Sequence, residues 1–246
     1  MKRYRFILEY DGSQFFGWQR QLLKPTAQQT LEDQLAFLTK HSVTVHGAGR
    51  TDTGVHATGQ VAHADLDYPH DPYRLQAALN HFLIPKGLSV VACEEVDQNF
   101  HARYGASCRF YQYSILNRAA PAVWDKKVWH VTQKLNADLM NKAAQHLVGT
   151  YDFSSFRDSQ CQSKSPIKTL SQFFVKRHDE IIVATIKAPS FLHHQVRIMI
   201  GTLKAVGSET ISIENFIQIR DAKDRTKAGQ TAPPNGLTLT RVEYHD

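Results

Sequence analysis

The segment of the chain richest in chemistry runs from Gly47 to Val61 and reads GAGRTDTGVHATGQV. Four glycines fall within its first thirteen residues, and glycine lets a backbone approach a ligand closely. Among them stand one carboxylate, Asp52, and two groups that can carry positive charge, Arg50 and His56. A neighbouring arginine lowers the pKa of an aspartate and keeps it ionised, as a nucleophile requires. One interpretation of the segment is therefore a catalytic carboxylate held beside cations.

Other chemistries fit parts of the same segment. Gly49 and Gly54 have the spacing of a phosphate-binding loop, but Val55-His56 follows where Lys-Ser/Thr is required. Asp52 also occupies the place of the third glycine in a dinucleotide fingerprint, so both phosphate-binding motifs are excluded. Asp52-Thr53-Gly54 matches the aspartic protease tripeptide, which needs two carboxylates and hence a homodimer. A turn aspartate that bonds its own backbone amides is the purely structural alternative.

Composition narrows the class of protein. The chain has 246 residues and a formal net charge of +6, which favours polyanionic partners such as nucleic acid. No run approaches the roughly 18 apolar residues of a membrane helix, and the apolar run at the N-terminus is too short for a signal peptide. The three cysteines form no C-x-x-C pair. A cytoplasmic protein without a disulfide framework or zinc ribbon is therefore expected.

The first half of the chain predicts strands and helices on both sides of the glycine-rich segment. A strand over Arg3–Tyr10 ends at the turn pair Asp11-Gly12. Thr26, with Gln29 three residues later, predicts a capping box at the start of a helix. The further elements predicted are a strand over Gln60–Leu66, a helix opened by Asp71-Pro72 and a strand over Leu88–Val96.

The second half repeats this order of elements. Its predicted elements are a strand over Ala106–Leu116, a helix capped by Asn136, strands over Leu170–Val175 and Ile181–Ala188, helices over Phe191–Val206 and Ile213–Arg220, a loop over Asp221–Asn235, and a strand over Leu237–Tyr244. The repetition predicts an α+β fold of two similar split β-α-β units with antiparallel sheets. A pseudo-two-fold axis would relate the units, 1–105 and 106–246, with the active-site cleft between them.

Groups of residues spread over the whole chain resemble, in the same order, the motifs of the TruA family of tRNA pseudouridine synthases. Besides Gly47–Val61, they are Tyr10-Asp11-Gly12 with Phe16-Gly17-Trp18-Gln19, Phe100-His101-Ala102-Arg103 with Arg109, Tyr111 and Tyr113, Asp152-Phe153-Ser154-Ser155-Phe156, Phe191-Leu192 with Val196-Arg197 and Gly201, and Ala232-Pro233-Pro234-Asn235-Gly236-Leu237. Small departures are Thr53 where alanine is usual, Tyr151 where histidine is common, and Gln195 where methionine is common.

The resemblance implies an enzyme that converts uridine to pseudouridine in the anticodon arm of tRNA, at positions 38, 39 and 40. It implies Asp52 as the nucleophile, Arg197 as its basic partner, Tyr111 against the flipped uracil, and Arg50 among the substrate-binding residues. It further implies a homodimer on which each tRNA spans both subunits, with no cofactor. Attack at C1′, addition at C6 and a glycal pathway all remain open, since each needs an ionised carboxylate.

Two further inferences concern metals and the competing class of protein. The thirteen histidines form neither H-E-x-x-H nor a Cys/His cluster, so no metal site is predicted. A non-catalytic tRNA-binding protein of the same fold is the main alternative. Asp52 argues against it, because a binding protein gains nothing from a carboxylate near phosphate. The homodimeric protease is the third class, and it would be indifferent to tRNA.

Overall fold

A computed structural model describes residues 1–67 and 69–245, which form two compact units. The first unit contains residues 1–67, 69–107 and 238–245, and the second contains residues 108–237. The units differ from the predicted division into 1–105 and 106–246 in the placement of the last strand, because that strand pairs with a strand of the first unit. Domain boundaries in the sense of independent folding stay a prediction.

The first unit is a sheet with two helices. Its elements are β1 (Lys2–Tyr10), α1 (Ala27–Thr39), β2 (His46–Gly47), β3 (His56–Leu66), α2 (Pro72–Leu83), β4 (Leu88–Val96) and the C-terminal strand β11 (Leu237–Tyr244). The strand order is β4-β1-β3-β11, with β1 antiparallel to both neighbours, β11 parallel to β3, and β2 paired with β3. Alternate residues of β1, from Tyr4 to Tyr10, are buried because successive side chains of a strand point to opposite faces.

The second unit contains three antiparallel strands, one short parallel strand and a separate pair of strands. Its elements are β5 (Ala106–Leu116), β6 (Trp129–His130), α3 (Ala137–Gln145), β7 (Gly149–Asp152), β8 (Ile167–Leu170), β9 (Gln172–His178), β10 (Ile181–Ala188), α4 (Gln195–Gly207) and α5 (Ile213–Ala222). The strand order is β5-β10-β9, with β6 parallel to β5, while β7 and β8 pair separately. Helix α3 packs on β9 and α4, and α4 supplies the longest buried stripe of the unit.

The mixed α+β fold with mostly antiparallel strands is confirmed, while the pseudo-two-fold axis and the cleft stay predictions. Thr26 caps α1, its hydroxyl accepting the Gln29 N–H at 3.3 Å, which is one of the two bonds of the predicted capping box. The predicted start of α4 at Phe191 is wrong, since the helix begins at Gln195. His194 has a φ of +59°, outside the right-handed helical region, and the Gln195 side chain accepts the Leu192 N–H at 2.8 Å. Among the described residues, no helix is both long and apolar enough to cross a membrane.

Candidate active site

The loop that carries Asp52 rests on the segment 11–19 of the first unit. Gly17 has a φ of +84°, and a Cβ atom there would lie 2.6 Å from the carbonyl oxygen of Thr51. The Trp18 N–H donates to that same carbonyl at 3.1 Å. At Gly12 a Cβ atom would lie 2.2 Å from the carbonyl oxygen of Val55. These two glycines therefore let the N-terminal segment touch the backbone on both sides of Asp52.

A buried hydroxyl also holds the residue before Asp52. Tyr10 stands at the end of β1 with 2% of its surface exposed, and its hydroxyl lies 2.8 Å from Oγ1 of Thr51. Gln60, fully buried on β3, donates through Nε2 to the carbonyl of Gly49 at 2.8 Å. Burial raises the pKa of Tyr10 to about 12, so the phenol remains protonated at neutral pH. Side-chain hydrogen bonds from β1 and β3 thus reach the loop at Thr51 and Gly49.

Asp52 and Arg50 themselves lie at the surface of this supported loop. The Asp52 side chain is half-buried, and its carbonyl accepts the Val55 N–H at 3.1 Å in a tight turn. Arg50 is exposed and donates through Nε to Oε1 of Gln19 at 3.1 Å. Beyond the turn, buried His56 accepts the Gly12 N–H through Nδ1 at 3.0 Å. His56 therefore also ties the loop to the N-terminal segment.

In the second unit, Arg197 lies in the first turn of α4 and is half-buried. Its Nε donates to the carbonyl of Ala232 at 2.8 Å, and the Ala232 N–H donates to the Arg197 carbonyl at 3.0 Å. One turn along α4, a Cβ atom on Gly201 would lie only 1.8 Å from the carbonyl oxygen of Gln230. Residues 221 and 222 of the predicted loop belong to α5, and the remainder packs on the surface of α4, where it fixes the Arg197 side chain.

Tyr111 and Tyr113 lie two residues apart on β5 and have different neighbours. Tyr111 is 8% exposed and packs edge-to-face against Phe191, with ring centres 5.3 Å apart. Tyr113 is fully buried, and its hydroxyl donates to the carbonyl of Pro233 at 2.8 Å. Burial raises the pKa of Tyr113, and the nearby Arg197 partly opposes that shift. Tyr113 therefore supports the same loop that holds Arg197.

A carboxylate with two imidazoles stands at the start of α4. Nδ1 of His194 lies 2.8 Å from Oδ2 of Asp158, and Nδ1 of His193 lies 3.5 Å from Oδ1 of the same carboxylate. The two imidazole rings are stacked with centres 3.9 Å apart. Burial alone would raise the pKa of Asp158, but hydrogen bonds from the Gln160 N–H and from His194 hold it below its usual range. Asp158 thus fixes both histidines beside the turn of helix that carries Arg197.

Sequence reasoning assigned no role to several of these residues. Tyr10, Thr51 and Gln60 stand within or beside the recognised motifs, but only the folded chain brings their side chains together. The burial alternation along β1 predicts that the ring of Tyr10 is in the core, and it carries no information about the partner of the hydroxyl. Asp158 lies in a polar loop without any spacing signal that points to His194.

Comparison with known proteins identifies the family. A family profile described as tRNA pseudouridine synthase matches residues 7–105 and 143–245. The chain is 51% identical over 247 residues to the tRNA pseudouridine synthase A of Paramagnetospirillum magneticum, covering 99% of this chain and 96% of that protein. It is 46% identical over 245 residues to the protein of that name in Maricaulis maris, covering 99% and 98%, and 44% identical over 247 residues to that of Methylocella silvestris, covering all of both. The chain therefore belongs to the tRNA pseudouridine synthase family and is an isomerase that converts uridine in tRNA to pseudouridine.

Proposed function

We propose that this isomerase modifies uridines 38, 39 and 40 in the anticodon arm of tRNA, with Asp52 as the nucleophile. The bond between N1 of the base and C1′ of the ribose breaks, the base turns, and a new bond joins C5 to C1′. The proton on C5 leaves to water, and N1 takes up a proton in its place. Atoms and charge balance without a cofactor, and none is part of the proposal.

One observation carries the assignment of Asp52. Asp52 is half-buried, whereas residues before and after it in the loop are anchored. Tyr10 and Trp18 hold Thr51 by hydrogen bonds, and Gly12 lies against the backbone of Val55. A nucleophile works best when its geometry is set before the substrate arrives, because the entropy cost is then already met. A turn aspartate without a catalytic role would not need this support from two strands and a separate loop.

The other predicted site residues have complementary roles in the proposal. Arg197 is the basic partner of Asp52, and its hydrogen bonds with Ala232 support a fixed guanidinium. Tyr111 contacts the uracil once the base has left the stack, a step that costs a few kcal/mol. Its edge-to-face contact with Phe191 supports a ring of fixed orientation. Arg50 contacts the tRNA from the exposed side of the loop.

The assembly and the compartment are also part of the proposal. We infer a homodimer in which each tRNA contacts both subunits. The net charge of +6 favours binding of the polyanion. The free thiols of Cys93, Cys108 and Cys161 suit the reducing cytoplasm, where we place the enzyme.

The test uses tRNA labelled with tritium at C5 of uridine, because the new C5–C1′ bond must release that label to water. The wild-type protein is expected to release tritium, and sequencing of the product is expected to locate pseudouridine at positions 38 to 40. Asp52→Asn is expected to bind tRNA like the wild type and to release none. Asp97→Asn is the matched control, since Asp97 is an exposed loop residue of the same unit whose Oδ1 acceptor survives the change.

Two results would contradict the proposal. Multiple turnover by Asp52→Asn would remove Asp52 from the role of nucleophile. Tight binding of tRNA by the wild-type protein without release of tritium from any cellular tRNA would favour the non-catalytic binding protein instead.

A further inference from the structure

An exposed aromatic ring of the first unit is held in a fixed position. Tyr104 is 78% exposed, and its ring lies 4.5 Å from that of His101. The N–H groups of Arg103 and Tyr104 both donate to Nδ1 of His101, at 3.1 and 3.2 Å. The imidazole therefore closes the turn 101–104 and also supports one face of the tyrosine ring. The orientation of the ring is set before any partner arrives, which lowers the entropy cost of binding.

The turn is itself anchored to the sheet by further imidazoles. The Ala102 N–H donates to Nδ1 of His63 at 3.2 Å, and His63 on β3 is 2% exposed. The ring of His101 packs edge-on to His63 at 4.7 Å and lies 5.7 Å from that of His46 on β2. Tyr104 is therefore the outermost ring of a cluster, His46, His63, His101 and Tyr104, that begins in the core of the unit.

A permanent positive charge lies beside this cluster. Burial, first of all, and the positive charge of Arg3 lower the pKa of His63 to about 4, and burial with His46, Arg3 and Arg103 lowers the pKa of His101. Arg3 is paired with Asp65 at 2.8 Å, so these two charges balance one another and Arg103 supplies the positive charge. The guanidinium of Arg103 lies 5.7 Å from the centre of the Tyr104 ring. An exposed ring beside a permanent cation suits a polyanion whose bases have flat aromatic faces.

We propose that Tyr104, backed by His101 and flanked by Arg103, is a stacking platform for an unpaired base of the tRNA. Stacking of a base on an aromatic side chain contributes about 1–3 kcal/mol, and Arg103 contributes a phosphate contact. The inference requires that tRNA is the substrate, and it is independent of the proposed role of Asp52. Tyr104 is a binding residue here and takes no part in bond making.

The test measures equilibrium binding of an unmodified tRNA transcript in an Asp52→Asn background, so that no turnover occurs. Tyr104→Ala is expected to weaken binding about 5- to 150-fold, whereas Tyr104→Phe keeps the ring and is expected to stay within about two-fold. Tyr73→Ala is the matched control, because Tyr73 on α2 is also 78% exposed in the same unit. It is expected to bind like the parent protein.

The salt dependence of binding separates the two parts of the platform. Arg103→Gln is expected to reduce the slope of log affinity against log salt by about 0.7–0.9, the value for one phosphate contact. Tyr104→Ala is expected to leave that slope unchanged, because stacking releases no counterions. Thermal unfolding of each variant checks that the exposed substitutions leave stability intact.

Three outcomes would overturn the platform. One is parental affinity in Tyr104→Ala, and another is an equal loss in Tyr73→Ala. The third is a change of sedimentation in Tyr104→Ala, which would mean that the ring contacts a protein surface. Release of tritium by the wild-type protein tests the proposed reaction separately, so either conclusion can fail without the other.

Discussion

Two tyrosines on β1 show how the position of a hydrogen bond decides its consequence. Tyr4 and Tyr10 are both buried, at 0% and 2% exposure, and both use the hydroxyl in a hydrogen bond. Tyr4 donates to the carbonyl of His70 at 3.0 Å and accepts the His70 N–H at 2.7 Å, so neither of its bonds reaches the glycine-rich loop. Tyr10 bonds to Thr51, one residue before Asp52. Both hydroxyls should stabilise the fold, the Tyr4 hydroxyl through two bonds, but only the Tyr10 hydroxyl should affect catalysis.

Removing each hydroxyl tests this expectation. Tyr10→Phe is expected to lower kcat about 10- to 100-fold with little change in KM for tRNA, because small displacements of a catalytic group are costly. Tyr4→Phe should keep the wild-type kcat. Tyr10→Phe should lose about 0.5–1.5 kcal/mol of unfolding free energy, and Tyr4→Phe at least as much, because its hydroxyl makes two hydrogen bonds. Steady-state tritium release and urea unfolding measure the two effects.

Thr51 provides the reciprocal change. Thr51→Val should lower kcat as much as Tyr10→Phe does, whereas Thr51→Ser keeps the hydroxyl and should keep most of the wild-type kcat. Because both changes remove the same bond, kcat of the double variant Tyr10→Phe/Thr51→Val should be no lower than that of either single variant. An equal fall of kcat in Tyr4→Phe and Tyr10→Phe would mean that both act only through stability.

At the scale of elements, α4 and the loop 221–235 depend on one another. Gly201 lies in the helix interior, where alanine is normally preferred by about 1 kcal/mol. A Cβ atom there would overlap the carbonyl of Gln230, which is backbone and cannot rotate away. Gly229 continues the contact by donating its N–H to the hydroxyl of Thr202 at 3.0 Å. Gly201 therefore allows the backbone of the loop to contact the helix directly at this point.

Gly201→Ala is expected to destabilise the protein by about 1–3 kcal/mol, against the helix propensity of alanine, because the loop must move off the helix. The displaced Ala232 would release Arg197, so kcat should fall as well. Gly207→Ala on the same helix is the comparison, and a smaller loss is expected, since its Cβ would lie 2.7 Å from the buried side chain of Met140 and 3.5 Å from Cβ of Leu135, which can shift where a backbone carbonyl cannot. Thermal unfolding and tritium release compare the two variants, and a more stable Gly201→Ala would contradict the close approach.

Local signals predicted most of the elements and few of their contacts. The N-cap residues Thr26, Asp71 and Asn136 each accept the expected backbone N–H, because capping depends on residues that are close in sequence. The apolar stripe of α4 predicts a helix start four residues too early, because the stripe extends into a turn formed by His194 and Gln195. The motif alone points to Asp52. The hydrogen bond between Tyr10 and Thr51 joins residues 41 apart in sequence, which no local pattern predicts.

The whole-molecule property with a clear pH dependence is the free energy of unfolding. His63 is held neutral in the folded state, with its pKa lowered to about 4 by burial and neighbouring positive charge, against 6.5 in the unfolded chain. Between these values the unfolded state binds more protons than the folded state, so stability falls as the pH falls. Carboxylates such as Asp65 and Asp221, whose pKa values are lowered mainly by hydrogen bonds to arginine, add a further loss below about pH 4. The loss of stability caused by His63 and the loss caused by the carboxylates therefore fall in different pH ranges and can be measured separately.

Between pH 6.5 and pH 4, the unfolding free energy should fall by at most about 3 kcal/mol through His63, at 1.4 kcal/mol per pKa unit. His63→Gln should reduce the loss in this window, because Gln does not titrate. His101, whose pKa is also lowered by burial and nearby positive charge, should keep part of the loss there, and the loss at lower pH should remain. Exposed His178, changed to Gln, should leave the whole profile as in the wild type. Urea unfolding followed by circular dichroism measures the free energy of unfolding across this range. A wild-type dependence of the unfolding free energy on pH in His63→Gln would mean that burial does not hold the His63 imidazole neutral.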